Sequence, residues 1–140
     1  MENNRDRLAV IVAGYTDKMA DFIASNPGLQ SRFSRQIEFD DYTADEMLEI
    51  FERNAADNSF ELDLDARQTL LHHFQKAEGD SSFGNGRGVR NTFEAVIVAH
   101  ANRISALSAA SDHDLTLIVR EDIELALKKE YLEKMRDETQ

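Results

Sequence analysis

The sequence predicts a chain that is mostly helical overall: an α/β remnant, the last strands of a parallel sheet, followed by an all-α subdomain. Three observations carry that expectation. Residues 8–13, Leu-Ala-Val-Ile-Val-Ala, form a continuous apolar run rich in β-branched residues, the pattern of a strand covered on both faces. From Thr43 onward the apolar residues recur at helical spacing instead. The change of character falls after Asp40-Asp41-Tyr42, which divides the chain into parts 1–42 and 43–140.

In the first part, Gly14-Tyr15-Thr16 ends the apolar run. Thr16 is expected to cap a short helix from Asp17 to about Ser25, with Met19, Phe22 and Ile23 inward. Asn26-Pro27-Gly28 reads as a turn that stops it, and one more turn of helix is expected from Leu29 to Phe33. Gln36-Ile37-Glu38-Phe39 alternates like a brief strand.

In the second part, Thr43-Ala44-Asp45-Glu46 is a capping box, opening a helix with Met47, Leu48, Phe51 and Ala55 inward. Asp57 to Asp63 connects onward and tucks Phe60 and Leu62 against the helices. Asp63 caps the next helix, about Leu64 to Ala77, which buries Ala66, Leu70 and Phe74. A glycine-rich polar loop around Phe83 follows. The longest helix then carries Val89, Phe93, Val96, Ile97, Ala101, Ile104 and Leu107 at helical spacing. Ser108 to Asp114 reads as a polar linker, Leu115 to Val119 as a short extended piece, and about Glu121 to Met135 as a charged final helix.

A strand covered on both faces needs neighbouring strands and covering helices. Residues 1–42 hold one such strand and one short one, so the chain reads as the C-terminal portion of something larger.

Composition narrows the function classes. Sixteen Lys and Arg stand against 27 Asp and Glu, a net charge of −11. That balance argues against nucleic acid or an anionic membrane as the main partner. No apolar run approaches the roughly 20 residues of a membrane helix, and the first residues lack signal-peptide character. With no cysteine, disulfides and thiolate metal sites are excluded. A soluble cytoplasmic protein is expected. The four histidines, His72, His73, His100 and His113, lack ligand spacing, so no metal site is expected, and His100 is expected to be packed on an inner helix face. Gly79 and Gly84 have the spacing of a phosphate loop, but Asn85 stands where its lysine should be.

The arginines are more informative. Gly84-Asn85-Gly86-Arg87-Gly88-Val89-Arg90-Asn91 places Arg87 and Arg90 at the start of the longest helix. A helix N-terminus is already electropositive. Guanidinium groups there either pair with the chain's many carboxylates or wait for an anion. Arg32 follows a proline–glycine turn on a short, stiff element. It is either a salt-bridge partner or a displayed phosphate contact.

Three stretches together resemble the C-terminal portion of AAA+ ATPases of the CbbX/SpoVK type, which include red-type Rubisco activases, stage V sporulation protein K and type VII secretion ATPases. They are Arg5-Asp6-Arg7-Leu8-Ala9-Val10-Ile11-Val12-Ala13-Gly14-Tyr15-Thr16, then Asn26-Pro27-Gly28-Leu29-Gln30-Ser31-Arg32-Phe33, then Gly84 to Asn91. The resemblance covers nearly all of residues 1–125. It implies that 1–42 is the last piece of the nucleotide-binding core and 43–140 the helical lid. It implies Thr16 at the sensor-1 position, where relatives often carry Asn. Arg32 falls at the arginine finger, acting in trans on a neighbouring subunit's nucleotide. Arg90 falls at sensor 2, with Arg87 a support or second contact. The phosphate-binding loop and the carboxylates that hold magnesium and activate water lie upstream in this family. The implied whole is an ATP- and magnesium-dependent ring, a hexamer, that remodels a protein partner. This chain alone is expected to neither bind ATP tightly nor hydrolyse it. In that family another strand lies between 8–13 and 36–39. Without it, residues 8–13 are expected to pair with another copy, refold or become disordered. The alternative is a stand-alone helical interaction module with no nucleotide role.

Overall fold

The computed structural model describes residues 8–137. Arg5, Asp6 and Arg7, which begin the first family-like stretch, lie outside the described residues. The chain divides into two compact units, Met1–Asp40 and Asp41–Gln140.

The first unit carries α1 (Thr16–Ala24) and α2 (Pro27–Arg32). Tyr15, not Thr16, is the N-cap of α1, and its side chain makes no capping bond. Thr16 is therefore the first residue inside the helix, a correction to its expected capping role. Asn26 opens α2 rather than only closing α1: its side chain accepts from the Gly28 N–H at 2.9 Å. Pro27 then occupies the first helical position, where its missing N–H leaves nothing unpaired. Residues 8–13 and 36–39, both expected as strands, form none. The physical reason is pairing. A strand's N–H and C=O groups need a neighbouring strand, and the described residues of this unit offer none. Ile11 is 92% exposed and Phe39 90%. Without a sheet beneath α1, Met19 and Ile23 are only half-buried and Phe22 is exposed.

The second unit is a helical bundle with a small strand pair. It comprises α3 (Ala44–Asp57), β1 (Glu61–Leu62), α4 (Leu64–Ala77), α5 (Gly86–Ser105), α6 (Asp112–Thr116), β2 (Leu117–Ile118) and α7 (Arg120–Asp137). The capping box of α3 forms: Thr43 Oγ1 accepts from the Glu46 N–H, and Glu46 Oε2 accepts from the Thr43 N–H at 2.9 Å. Asp63 caps α4 by accepting from the Ala66 N–H at 2.6 Å. β1 and β2 pair in parallel, Glu61 opposite Leu117 and Leu62 opposite Ile118. The expected polar linker 108–114 instead begins α6, because Ser111 and Asp114 make a second capping box. The Ser111 hydroxyl, helped by its N–H, holds the Asp114 carboxyl below its usual pKa.

The core sits where α3, α4, α5 and α7 meet. Phe51, Phe74, Leu48, Leu70, Val89, Val96, Ile118 and Ile123 are fully buried, each worth about 1.5–3 kcal/mol relative to exposure. Phe51 packs edge-on to Phe93 with centroids 5.4 Å apart, and tilted against Phe74 at 6.4 Å. The inner face of α5 differs from its expected stripe. Val89, Thr92, Val96, Ala99 and His100 are buried, whereas Ala101 is exposed and Leu107 lies beyond the helix. Among the described residues no helix is long and apolar enough to cross a membrane.

Candidate functional site

The site is built at the head of α5. The chain approaches through Gly84 at φ +83° and Asn85 at φ +54°, ψ −125°. Left-handed φ is easy for glycine and strained for most other residues. The Gly84 carbonyl then accepts from the Arg87 N–H at 3.1 Å, closing the turn that starts the helix.

The loop before the turn is pinned by one aromatic. The Phe83 ring stands edge-on to Phe74 at 6.1 Å and to His73 at 5.8 Å. Gly88 is required by that packing. A Cβ at this position would lie 2.3 Å from the Phe83 carbonyl oxygen and 2.6 Å from its ring. The two glycines thus meet different needs, Gly84 a positive φ and Gly88 close backbone approach.

Arg87 and Arg90 are both exposed on the first turns of α5. Three residues apart, they share one face of the helix. The Arg87 guanidinium folds back beside Gly84, with its nitrogens 3.4 Å from where a Cβ would sit. No acidic residue occupies the first turn of α5, so the helix dipole and both cations add there. Such an arrangement favours an anion with several acceptor oxygens, for which guanidinium offers paired donors.

Thr16 and Arg32 belong to the first unit. Thr16 is exposed at the start of α1, and Arg32 is exposed as the last residue of α2. The Arg32 Nη1 lies 3.6 Å from where a Cβ on Gly28 would sit, so the side chain folds back along its own helix. The structure thus brings Arg87 and Arg90 together, while Thr16 and Arg32 sit on successive short helices of the other unit. Among the described residues no group of three or more His, Asp or Glu is placed to hold a metal ion.

A buried polar cluster escaped the sequence reading except for His100, which is packed inward as expected. Asp122 is 1% exposed and takes Arg103 in a fork, Nε to Oδ1 at 2.7 Å and Nη2 to Oδ2 at 3.1 Å. It also accepts from the Val119 N–H at 3.1 Å. Arg103 Nη2 donates to the Leu117 carbonyl at 3.1 Å. The hydrogen bond to Asp122 raises the Arg103 pKa above its usual value, outweighing burial. His100 Nε2 faces the Leu115 carbonyl at 3.1 Å, and its Nδ1 lies 3.2 Å from Arg103 Nη2 and 3.3 Å from Asp122 Oδ2. The Leu115 carbonyl can only accept, so Nε2 is the donor in that contact. This cluster ties α5 to the β2–α7 junction and accounts for His100 and Arg103 turning toward it. Asp122 lies 19 residues from Arg103, so no local spacing rule would have paired them.

Comparison with known proteins places these features. A family model described as AAA lid domain matches residues 43–135, more than half of the chain. Protein CfxQ homolog of Galdieria sulphuraria is 39% identical over 125 residues, covering 88% of this chain and 41% of that protein. The chloroplastic ribulose bisphosphate carboxylase/oxygenase activase of Cyanidioschyzon merolae is 38% identical over 125 residues, 88% of this chain and 43% of that protein. Protein CbbX of Cereibacter sphaeroides is 36% identical over the same length, 88% of this chain and 40% of that protein. The chain therefore spans about two fifths of the length of these curated relatives. The helical unit that carries the glycine turn and its arginines is the part the family model covers, and the chain belongs to the AAA lid domain family.

Proposed function

We propose that this chain is the C-terminal segment of an AAA+ ATPase of the CbbX type, which couples ATP hydrolysis to remodelling of a protein partner. Residues 1–42 are the end of its nucleotide-binding core and 43–140 its lid. The observation that carries this reading is the pair of exposed arginines heading α5, on a strained glycine turn, within a lid-family match. Arg90 acts as sensor 2 and contacts the phosphates of its own subunit. Arg87 steadies the turn or adds a second contact. Arg32 acts as an arginine finger on nucleotide held by a neighbouring subunit, where a guanidinium offsets charge spreading over the transferring phosphoryl group. Thr16 acts as sensor 1 and helps place the attacking water.

The residues fit the phosphate end of ATP, because Arg87 and Arg90 supply cationic donors to its oxygens. They do not supply the magnesium site. In the complete ATPase the phosphate-binding loop and the magnesium-holding carboxylates come from upstream, and this segment by itself neither binds ATP tightly nor turns it over. Assembly is a homo-oligomeric ring, a hexamer, in the cytoplasm. The name of the Cyanidioschyzon merolae relative makes Rubisco the first protein partner to try.

The test is made in an ATPase that carries this segment behind its phosphate-binding loop. Arg90→Ala is expected to weaken ATP binding and to lower turnover about 10–100-fold, the scale of removing one charge-stabilising donor. Isothermal titration and steady-state turnover read the two effects. Unchanged binding and turnover would sink the sensor assignment. Arg32→Ala is expected to leave ATP affinity intact and cut turnover by about 10³-fold. Weakened binding with normal turnover would reject the finger.

A further inference from the structure

Asn85 stands where glycine would be easier. Its φ of +54° and ψ of −125° match the first central position of a type II′ turn, which glycine dominates. The tolerance of asparagine for positive φ belongs to the left-handed helical region, with ψ near about +47°. That is not the conformation here, so the backbone is strained. Strain at a non-glycine residue persists where its surroundings over-determine it.

The side chain explains what holds it. At the N-cap of a helix, asparagine ordinarily accepts from an N–H of the first turn. Asn85 makes no such bond. The Gly84 carbonyl accepts from the Arg87 N–H instead, and the Asn85 carbonyl accepts from the Val89 N–H. The carboxamide turns the other way. Its Oδ1 accepts from the Tyr42 N–H at 3.0 Å, and its Nδ2 donates to Asp41 Oδ1 at 3.1 Å. Tyr42 also lays its ring against the turn, with Cε2 3.3 Å from where a Cβ on Gly86 would sit. Asp41 and Tyr42 are the first residues of the helical unit, immediately before the capping box of α3. One carboxamide therefore joins the segment entering this unit to the turn that aims Arg87 and Arg90.

We propose that Asn85 is a positioning residue, a clasp that couples the chain entering the lid to the arginine-bearing head of α5. Phosphate engaged by Arg90 is then felt at residues 41–42, and displacement of that segment re-aims the arginines. The phosphate half of this statement rests on the function proposed above; the clasp itself does not.

Asn85→Gly separates the clasp from a merely structural role, because glycine relieves the strain while removing the carboxamide. In this chain the Tyr42 amide is expected to exchange with solvent about tenfold faster in Asn85→Gly, with the melting temperature unchanged or raised. Unchanged Tyr42 exchange overturns the clasp. Asn85→Asp keeps an acceptor for Tyr42 but sets a second carboxylate against Asp41, so protection at Tyr42 falls at neutral pH. Adding Asp41→Asn restores a donor opposite an acceptor, and protection recovers; failure to recover also overturns it.

Coupling is read in an ATPase carrying this segment. Asn85→Gly is expected to lower turnover about threefold to tenfold. The loss should vanish in an Arg90→Ala background, because both changes then remove one coupled function. An equal loss in both backgrounds overturns the coupling. If Arg90→Ala by itself changes neither ATP affinity nor turnover, the sensor reading and the coupling both fail, while Tyr42 exchange still decides the clasp.

Discussion

Asp122 shows how one carboxylate holds several elements in register. It takes the Arg103 fork from α5, the Val119 N–H from the turn before α7, and lies beside the His100 ring. Burying a charge is costly unless it is paired and its remaining lone pairs are satisfied. Here both conditions hold, which is why a 1%-exposed carboxylate is compatible with a stable bundle. Removing it leaves the Arg103 side chain, three-quarters buried, with the Leu117 carbonyl and the His100 ring beside its guanidinium. Asp122→Ala is therefore expected to destabilise the chain by about 2–4 kcal/mol, a little under the full cost of breaking a buried pair because Arg103 keeps some water. Urea unfolding followed by circular dichroism measures it. A loss below about 1 kcal/mol, the size of an exposed pair, would mean the cluster carries no more than a surface salt bridge.

At the scale of elements, α5 depends on a contact that only glycine permits. Replacing a helical glycine by alanine ordinarily gains about 1 kcal/mol. At Gly88 the new methyl would lie 2.3 Å from the Phe83 carbonyl oxygen, and backbone cannot step aside as a flexible side-chain tip can. Overpacking of that kind costs about 1–3 kcal/mol and wins. Gly88→Ala is expected to lower the melting temperature by roughly 4–10 °C and to loosen Phe83 from His73 and Phe74, seen as faster amide exchange across 79–85. A melting temperature at or above that of the parent chain would refute the close-approach reading. The same helix shows what a sequence can and cannot disclose. Its glycine-rich start was legible, since φ and close approach are local properties of Gly84 and Gly88. The capping boxes and caps at Thr43 and Asp63 were legible for the same reason. Its buried face was legible only in part: Val89, Val96 and an inward His100 were expected, whereas Arg103 turns in only to meet Asp122 from another helix. Residues 8–13 failed as a strand for a related cause. Their β-branched apolar character is local, but a ladder needs a partner strand. Of the candidate site, spacing marked Arg87 and Arg90 as a pair but left open whether they meet carboxylates or an anion, whereas the role of Asn85 depends on Asp41 and Tyr42, 44 and 43 residues away.

For the whole molecule, the distribution of burial decides where stability resides. No described residue of Met1–Asp40 is buried, and its large apolar side chains at Leu8, Ile11, Tyr15, Ile37 and Phe39 are exposed. The buried core lies in Asp41–Gln140, from Ala44 to Ala126. Apolar area removed from water is the main favourable term in folding, so cooperative unfolding should report on the second unit alone. A chain of residues 41–140 is expected to unfold in a single transition within about 3 °C of the 140-residue chain, with an enthalpy change that is nearly the same. Differential scanning calorimetry on both tests this. The cut falls just before Asp41, so the Asn85 clasp, the α3 capping box and the arginine turn are all retained. A drop of roughly 10 °C or more, or a loss of cooperativity, would mean that residues 8–40 support the helical core. The opposite outcome would leave the exposed apolar run 8–13 without any role in holding this unit together. Its β-branched residues would then await strands that a longer ATPase supplies, as the proposed function requires.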